Sequence, residues 1–468
     1  MIGFSSQLAP RRKLRTHFQA GFPPESSQRN KTRNKRTGWN HPQSSRVRAR
    51  SKFTRKSEVE VMNVHVNTIE AFLEAVIAEL EIPEHRYDQA DRSFKSFGDW
   101  LHHEGSSVRH FDPQVYCQGS FRLGTAIRPL TEDEEYDVDS VCEFRLMTKQ
   151  HLSQFALKQL LGAEVKAYHD AQNMTKPVRE GNRCWILDYA DDAQFHMDIV
   201  AALPNSAEQK RLLDAIMYDA RWSETAISIT DRRLPNYKEK TEYWPRSNPK
   251  GFSNWFASRQ AEVLIRRKRA KVEALNRQGF RASVEDMPDF KVKTPLQSAI
   301  MILKRHRDNM FAREPDVRPI SVIITTLAAH AYEGQDTISG ALLAILQRMD
   351  QFIQHDGQKY VIANPTDPYE NFADKWQAEP EKAEAFFRWL RTARADFNAA
   401  AQAVSFQEMA DALTPRMGYR LSTKAVDRLT GGNRLLRAAS GASAGAAATT
   451  APSFTNAARQ PTKPQGYA

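Results

Sequence analysis

Apolar side chains first fall into a regular pattern near residue 69. They recur there at every third or fourth position, the spacing of one face of an α-helix: Ile69, Phe72, Leu73, Val76, Ile77 and Leu80. Pro83 ends this predicted amphipathic helix, because proline cannot continue the backbone hydrogen bonding. A second helical pattern follows between residues 87 and 101. The patterned part of the chain therefore begins with two helices.

Short segments with strand character come next. They are rich in β-branched and aromatic residues, or alternate apolar with polar positions, at 115–118, 136–144, 184–188 and 195–200. The last two are separated by a short polar segment and are predicted to form a hairpin. This part of the chain is predicted to be a mixed α/β domain.

Beyond about residue 250 the apolar positions indicate an almost wholly helical region. The strongest apolar runs lie at 295–311, 320–332, 338–352 and 380–409. From residue 438 the chain becomes rich in Ala, Gly, Ser, Thr and Pro, which predicts a flexible tail. We expect an α+β protein with a mixed-sheet core at 62–245, a mostly helical lobe at 246–437 and a tail at 438–468.

The charge is distributed unevenly along the 468 residues. The formal net charge is +11, but residues 1–61 hold 15 Lys/Arg and 3 Asp/Glu, so the remainder is close to neutral. The first 61 residues have few large apolar side chains and are predicted to be disordered. They fit an RNA-binding arm, a transit peptide or sequence upstream of a true start at Met62, and we favour the last. The near-neutral body argues mildly against a long polyanionic substrate.

The three cysteines and the hydropathy exclude several classes of protein. Cys117, Cys142 and Cys184 are widely spaced and form no CxxC pair, which argues against a disulfide framework and a structural zinc site. The histidines likewise show no metal-ligand spacing. His196 shares a strand face with Asp198 and could influence a site there, but a surface histidine is favoured. No window reaches the length of a membrane span, and no signal peptide is apparent. We therefore expect a cytoplasmic protein.

The strand at 136–144 carries two carboxylates on one face. Asp137 and Asp139 are two residues apart, and side chains at that spacing in a strand point the same way. Two like charges so close favour a bound cation, and Mg²⁺ binds through a few carboxylates together with phosphate oxygens and water. A lone Asp-x-Asp pair is more often a solvated edge. The order and spacing of the neighbouring motifs favour the metal site.

Two neighbouring motifs complete the constellation. Asp198 lies in a strand where Phe195, Met197 and Ile199 alternate inward, so its carboxylate is predicted on the polar face. Three carboxylates suit a two-metal site in which one ion activates an attacking hydroxyl and the other binds pyrophosphate. Gly119 and Ser120 come just before, and a small turn there lets backbone amides approach phosphate oxygens. The sequence thus predicts phosphoryl-type transfer.

These residues resemble the polymerase-β-type nucleotidyltransferases. The segment from Gly119 to Pro129 leading into Asp137-Val138-Asp139 is similar, more closely, to the bacterial cGAS/DncV-like nucleotidyltransferases (CD-NTases), over about residues 62 to 435. The resemblance implies a polymerase-β-like nucleotidyltransferase core facing a helical lobe. It also implies a Mg²⁺-dependent enzyme that joins ATP, GTP or other nucleoside triphosphates into cyclic di- or trinucleotide messengers in CBASS-type anti-phage signalling.

The resemblance assigns roles to individual positions. Asp137, Asp139 and Asp198 match the carboxylates that hold two Mg²⁺ ions, for which Mn²⁺ can substitute, and Gly119 and Ser120 match the donor-phosphate loop. In the helical lobe, Lys304 and Ser321 resemble the family residues that touch the triphosphate. A lysine near a helix end also commonly extends into solvent, and Ser321 also fits a helix cap.

Partners follow from the same resemblance. The DNA-sensing animal members carry a zinc-binding His/Cys insertion that this sequence lacks, so activation by long DNA is not expected. The tail resembles carboxyl termini that some members offer to a ubiquitin-activating-like ligase, which would be an operon-encoded partner. Two other functions stay open: template-independent nucleotide transfer to RNA or protein, and RNA binding through residues 10–56 without catalysis.

Overall fold

The structure, a computed structural model, describes residues 68–131, 135–189, 195–278, 283–284 and 292–440, with side chains up to residue 431. The predicted arm at 1–61 lies outside these residues. Of the predicted tail, residues 438–440 end the last helix, and residues 441–468 lie outside the description. The disorder predicted for both ends stays a prediction.

A seven-stranded mixed sheet forms the first half of the described chain. Its strands are β1 (Pro113–Cys117), β2 (Tyr136–Phe144), β3 (Arg179–Glu180), β4 (Cys184–Asp188), β5 (Phe195–Pro204), β6 (Ile227–Ile229) and β7 (Arg246–Ser247). The order is β1-β2-β5-β4-β3, and β6 pairs with both β5 and β7. Only β2 and β5 pair in parallel within this sheet. The four strands predicted from sequence are β1, β2, β4 and β5, and the antiparallel pairing of β4 with β5 confirms the hairpin.

The helices of this half are α1 (residues 68–80), α2 (Glu84–His102), the short α3 (Gly119–Leu123), α4 (Gln154–Ala171) and α5 (Ser206–Ala215). Of these, α2 and α4 cover one face of the sheet. Met197 and Ile199 of β5 are fully buried against α2 and α4, while the alternate residues of the strand face the other way. The strand period therefore separates an apolar face from a polar one, as the sequence predicted.

The second half of the chain is mostly helical. Its helices are α6 (Pro249–Ser258), α7 (Ala261–Arg277), α8 (Pro295–Met310), α9 (Ser321–Ala331), α10 (Ile338–Arg348), α11 (Pro380–Gln402), α12 (Phe406–Met417) and α13 (Tyr419–Ser440). Helix α1 packs into the same apolar cluster as α8 to α12, because its Phe72, Leu73 and Val76 are buried there. The first described helix thus packs on the helical side of the molecule.

The expectation of an almost wholly helical second half is wrong in two details. Two short antiparallel hairpins interrupt the helices, formed by β8 (Gln354–His355) with β9 (Tyr360–Val361) and by β10 (Ala363–Asn364) with β11 (Asp367–Asn371). The apolar run at 380–409 is also divided. Ser405 caps α12 by accepting a hydrogen bond from the Glu408 amide, so α11 ends at Gln402 and a new helix begins.

The architecture is α+β, with a mixed-sheet core followed by a helical lobe. The sheet lies beside α8 and α9, and the polar face of β2 and β5 opens toward these helices. Among the residues that the structure describes, no helix is long and apolar enough to cross a membrane.

Candidate active site

The parallel pairing of β2 with β5 brings the three predicted carboxylates together. Asp139 lies opposite Asp198 in the register of the two strands, and Asp137 lies opposite His196. Val138 and Met197, their neighbours in sequence, are buried on the apolar face. Because side chains alternate along a strand, all three carboxylates point to the same face. The structure therefore places them as the sequence predicted.

The carboxylates hinder one another's ionisation. Burial raises the pKa of Asp139 to about 7, and the neighbouring charges of Asp137 and Asp198 add to the shift. Burial and the charge of Asp198 also raise the pKa of Asp137. A like-charged cluster of this kind favours either a proton or a bound cation.

The two carboxylate oxygens of Asp198 differ, because one accepts a hydrogen bond and the other has no hydrogen-bond partner among the described residues. Its Oδ2 accepts a long hydrogen bond from the Cys184 thiol of β4, with sulfur and oxygen 3.4 Å apart. Its Oδ1 is enclosed and has no hydrogen-bond partner within the structure. A buried carboxylate oxygen without a donor is costly unless something else neutralises it.

The residues fit the metal ions that the resemblance implies. Asp137, Asp139 and Asp198 present carboxylate oxygens on one face, which are the donors that Mg²⁺ prefers. The unpartnered oxygen of Asp198 and the raised pKa values of Asp137 and Asp139 are what a cation would relieve. The number and identity of the ions are matters for the proposal below.

Gly119 begins the loop next to the carboxylates. Its φ of +62° lies in the left-handed region that glycine adopts without strain. A Cβ atom at this position would lie 2.2 Å from Asp139 Oδ2. The loop is tied to β2 by the Gln118 amide, which donates to the Asp139 carbonyl oxygen at 2.8 Å. Only glycine therefore lets the Gly119-Ser120 backbone approach the carboxylates this closely.

Helix α8 anchors the far end of the same loop through donors to backbone carbonyls. Gln297 Nε2 donates to the Leu123 oxygen, and Lys293 Nζ, just before α8, donates to the Gly124 oxygen, each at 3.0 Å. Arg305 donates to the Arg128 oxygen. These contacts fix the helical lobe against the core loop. These contacts could not be predicted from the sequence, because backbone carbonyl acceptors are present at every residue.

Lys304 of α8 is buried rather than extended into solvent. It is 6% exposed, and its Nζ donates to the Thr125 oxygen at 3.0 Å. Burial lowers the pKa of Lys304 to about 8 with help from Arg307, against the opposing pull of Asp139 and Asp137. An ammonium group has three donors, so Thr125 leaves capacity for another acceptor. The alternative of a solvent-extended lysine is wrong.

Ser321 is the first residue of α9 and lines the same cleft as Lys304. It is not a capping side chain, because Ile320 occupies the cap position of α9. Its hydroxyl accepts from Arg307 at 2.8 Å, and the same nitrogen of Arg307 donates to the Pro319 oxygen at 2.9 Å. Arg307 therefore orients Ser321 toward the cleft.

A cleft of about 380 Å³ joins most of the predicted site residues. Its walls include Gly119, Ser120, Asp137, Asp139, Lys304 and Ser321. Asp198 lies behind this wall, opposite Asp139 on the next strand. The β10–β11 hairpin supplies Asn364 and Glu370 to the opposite wall, and Asn364 Nδ2 donates to Glu370 Oε2 at 2.6 Å. Sequence reasoning missed these two residues because segment 363–371 has no periodic pattern.

His196 is a third residue that the sequence analysis did not assign to the site. Its ring lies between Asp137 and Asp198, with Nε2 3.5 Å from Asp137 Oδ1 and 3.7 Å from Asp198 Oδ1. These three residues offer donor atoms close enough together to share one metal ion. The spacing of two residues to Asp198 puts both side chains on one strand face, but the sequence analysis favoured a surface histidine there.

Comparisons with known proteins agree with this geometry. The model of the family described as cyclic GMP-AMP synthase DncV-like, nucleotidyltransferase domain, matches residues 113–201, which span β1 to β5. The c-di-GMP synthase of Roseivirga ehrenbergii is 26% identical over 349 residues, covering 74% of this chain and 83% of the relative. The cyclic dinucleotide synthase CdnG of Bradyrhizobium diazoefficiens is 25% identical over 377 residues, covering 76% and 82%.

The fold is shared with solved structures as well. The complex of the Bradyrhizobium diazoefficiens CD-NTase CdnG with GTP superposes with a TM-score of 0.58 at 22% identity, covering 77% of this chain and 99% of the other. The Escherichia coli CdnC chain solved with HORMA-deltaN gives a TM-score of 0.52 at 14% identity, covering 76% and 98%. At these identities the likeness concerns the fold.

Proposed function

We propose that the chain is a member of the bacterial cGAS/DncV-like nucleotidyltransferases and that it joins nucleoside triphosphates into a cyclic dinucleotide with release of pyrophosphate. The observation that carries the proposal is the meeting of three carboxylates from two parallel strands with a buried lysine in one region. Asp139 lies opposite Asp198, and Lys304 lines the cleft with Asp137 and Asp139. Relatives named c-di-GMP synthase and cyclic dinucleotide synthase support this class of product.

In the proposed reaction, a ribose 2′- or 3′-hydroxyl oxygen attacks an α-phosphate and the bond to pyrophosphate breaks. Two Mg²⁺ ions bound by Asp137, Asp139 and Asp198 would supply an activated hydroxyl and neutralise the leaving group. Lys304 is already fixed by Thr125 and offers its remaining donors to the triphosphate. Ser321, oriented by Arg307, offers its hydroxyl to the same cleft. In a second reaction of the same kind, the free hydroxyl of the linear dinucleotide attacks the α-phosphate of its own triphosphate, which closes the ring and releases a second pyrophosphate.

The residues of the chain contribute mainly by positioning. The contacts of Lys293 and Gln297 hold the loop that follows Gly119 and Ser120, so the loop does not have to be ordered when a triphosphate binds. Groups held in place before the reaction cost no reorganisation during it. We assign Gly119 and Ser120 to the donor phosphates on this basis.

The product is tested by incubating the full chain with labelled ATP, GTP, CTP and UTP in Mg²⁺, followed by phosphatase treatment and mass spectrometry. We expect a phosphatase-resistant species at the mass of a cyclic dinucleotide, because a closed ring has no terminal phosphate. Guanine is the first base to examine, given the c-di-GMP synthase relative. Label appearing only in an added RNA would instead favour template-independent transfer, and no incorporation into either would contradict the proposal.

We further propose that the product is a messenger in CBASS-type anti-phage signalling and that an operon-encoded regulator or ligase controls the enzyme. The relative solved with HORMA-deltaN supports a protein regulator. A ligase would act on the carboxyl terminus, which lies outside the described residues. Mass spectrometry of the chain co-expressed with its neighbouring genes tests this, since an unmodified carboxyl terminus would argue against the ligase.

A further inference from the structure

His196 occupies an unusual position for a strand histidine. It is 24% exposed and lies on the polar face of β5, two residues before Asp198 and directly opposite Asp137 on β2. Its Nε2 faces one oxygen of each carboxylate, Asp137 Oδ1 at 3.5 Å and Asp198 Oδ1 at 3.7 Å. The ring therefore points into the proposed metal site rather than away from it.

These separations do not match hydrogen bonds. A nitrogen and an oxygen in a hydrogen bond lie about 2.7–3.2 Å apart, and a contact at 3.6 Å is not one. Two donors that each lie about 2.1 Å from one ion, at angles of about 90–110°, are about 3.0–3.4 Å apart. The distances from His196 Nε2 exceed this range by only a few tenths of an ångström. The spacing thus resembles that of ligands around a cation.

The other ring nitrogen has the environment of a metal-bound imidazole. His196 Nδ1 faces Glu135 Oε2 at 3.6 Å, and the other oxygen of Glu135 accepts from Lys176 Nζ at 2.7 Å. Histidines that bind metals usually turn their second nitrogen toward a carboxylate, which fixes the tautomer and ring orientation. At 3.6 Å this contact is not a hydrogen bond, but Glu135, held by Lys176, is the carboxylate that Nδ1 faces and would accept from it after a small shift.

An independent observation comes from Asp198. Its Oδ1, the atom that faces His196 Nε2, is enclosed without a hydrogen-bond partner. An enclosed carboxylate oxygen and a ring nitrogen aimed at the same space favour a shared third group. His196 does not satisfy this oxygen by direct hydrogen bonding at 3.7 Å.

We propose that His196 Nε2 is a ligand of the cation held by Asp137 and Asp198. This inference rests on the metal site of the proposed function and adds a nitrogen donor to it. Carboxylate and water oxygens are the ligands that Mg²⁺ prefers. An imidazole nitrogen raises the affinity for Mn²⁺ and the other divalent first-row transition metals relative to Mg²⁺. The site accordingly binds Mn²⁺ in preference to Mg²⁺, and His196 is the residue that sets the preference.

The test is pulsed electron paramagnetic resonance on the full chain loaded with Mn²⁺ and a non-hydrolysable GTP analogue. The protein is prepared with either natural or ¹⁵N-labelled histidine, so that a nitrogen coupled to the ion can be assigned to histidine rather than to the nucleotide. We expect histidine nitrogen coupling in the wild type and its loss in His196→Gln. His110→Gln is the matched control, because His110 is exposed and outside the site, and it should keep the coupling.

Binding titrations with Mn²⁺ and Mg²⁺ provide a second measurement. We expect His196→Gln to weaken Mn²⁺ binding at least about tenfold and Mg²⁺ binding much less, and Glu135→Gln to weaken Mn²⁺ binding about tenfold through His196. Bound Mn²⁺ without histidine coupling would overturn the inference and leave the proposed function intact. An absence of Mn²⁺ and Mg²⁺ binding, even with the GTP analogue, would overturn both.

Discussion

Two aspartates of the same sheet region have opposite surroundings. Asp231 is 3% exposed and receives hydrogen bonds from Arg183 Nε at 2.8 Å and from Arg233 Nε at 2.8 Å. Burial opposes its charge, but the hydrogen bonds from Arg233 and Arg183 outweigh that effect and lower the pKa of Asp231. Asp139 has neighbouring carboxylates instead, and burial and those charges raise its pKa to about 7.

The difference separates a structural carboxylate from a functional one. Asp231 is neutralised within the chain, so it needs no ligand and stabilises the segment that follows β6. Asp139 is left with a like-charged neighbourhood that Lys304 offsets only in part. Perturbed pKa values of this kind cluster at functional sites. Residue type alone would not tell the two aspartates apart, whereas the charge of their partners does.

The largest expected effect is on catalysis when the functional carboxylates are removed. Asp137→Asn together with Asp139→Asn should reduce cyclic product at least about a thousandfold, because metal stabilisation of a transition state contributes several kcal/mol and each 1.36 kcal/mol is tenfold in rate. The melting temperature without metal should stay the same or rise, since repulsion is removed. Product formation and thermal melting are measured side by side, and a well-folded double variant with normal turnover would contradict the assignment.

The next largest effect concerns Lys304, whose ammonium group faces these carboxylates. Lys304→Gln should lower kcat/KM about a hundredfold, mainly through a higher KM for the triphosphate, because a charge-assisted phosphate contact is lost. Wild-type turnover should also decline as the pH rises through about 8, where Lys304 loses its proton. Steady-state kinetics from pH 6.5 to 9.5 measure both effects.

Two variants make the test of Lys304 specific. Lys210→Gln removes an exposed lysine of α5 that pairs with Asp214, and it should change neither kcat nor KM. In Lys304→Arg the side chain stays charged from pH 6.5 to 9.5. The turnover that this variant retains should therefore not decline above pH 8. An unchanged decline in Lys304→Arg would show that another group titrates.

The sequence was most informative where a local period decides the structure. The period of two in β5 predicted that Asp198 faces away from Met197 and Ile199, and the burial of those two residues confirms it. The same argument placed Asp137 and Asp139 side by side. Local alternation and motif order were thus enough to propose the three carboxylates.

The sequence was least informative where the structure depends on distant contacts. Helix α4 and the β3–β4 segment separate β2 from β5, so no local pattern fixes the register that sets Asp139 opposite Asp198 or His196 opposite Asp137. Lys304 follows an apolar run in α8, and only its contact with Thr125 shows which way it points. Tertiary packing therefore decided the details of the site.

The structural carboxylate should give a smaller effect, and on stability alone. Asp231→Asn should lower the free energy of unfolding by about 1–3 kcal/mol, because it weakens buried charge-assisted hydrogen bonds. The remaining Arg183 and Arg233 are 51% and 54% exposed, so water can solvate them and limit the loss. Asp214→Asn, which breaks the exposed pair with Lys210, is the control and should cost about 0.5 kcal/mol or less. Denaturant melts and product assays together would contradict the comparison if Asp231→Asn lost turnover but not stability.

The smallest effect is the opposite pH dependence of the two carboxylates, measured by melting in EDTA. The folded state keeps a proton on Asp139 up to about pH 7, whereas the unfolded state loses it near pH 4, so this group makes stability fall as pH rises between those values. The pKa of Asp231 is lower when folded, so its contribution is present above about pH 4 and is lost as pH falls below that. The wild type should therefore lose melting temperature relative to Asp139→Asn between pH 4 and 7, and Mg²⁺ should narrow the gap because it occupies the place of the proton. If the melting temperatures of the wild type and Asp139→Asn changed equally with pH over this range, Asp139 would titrate normally. The environments of Asp139 and Asp231 would then differ less than their neighbouring charges suggest.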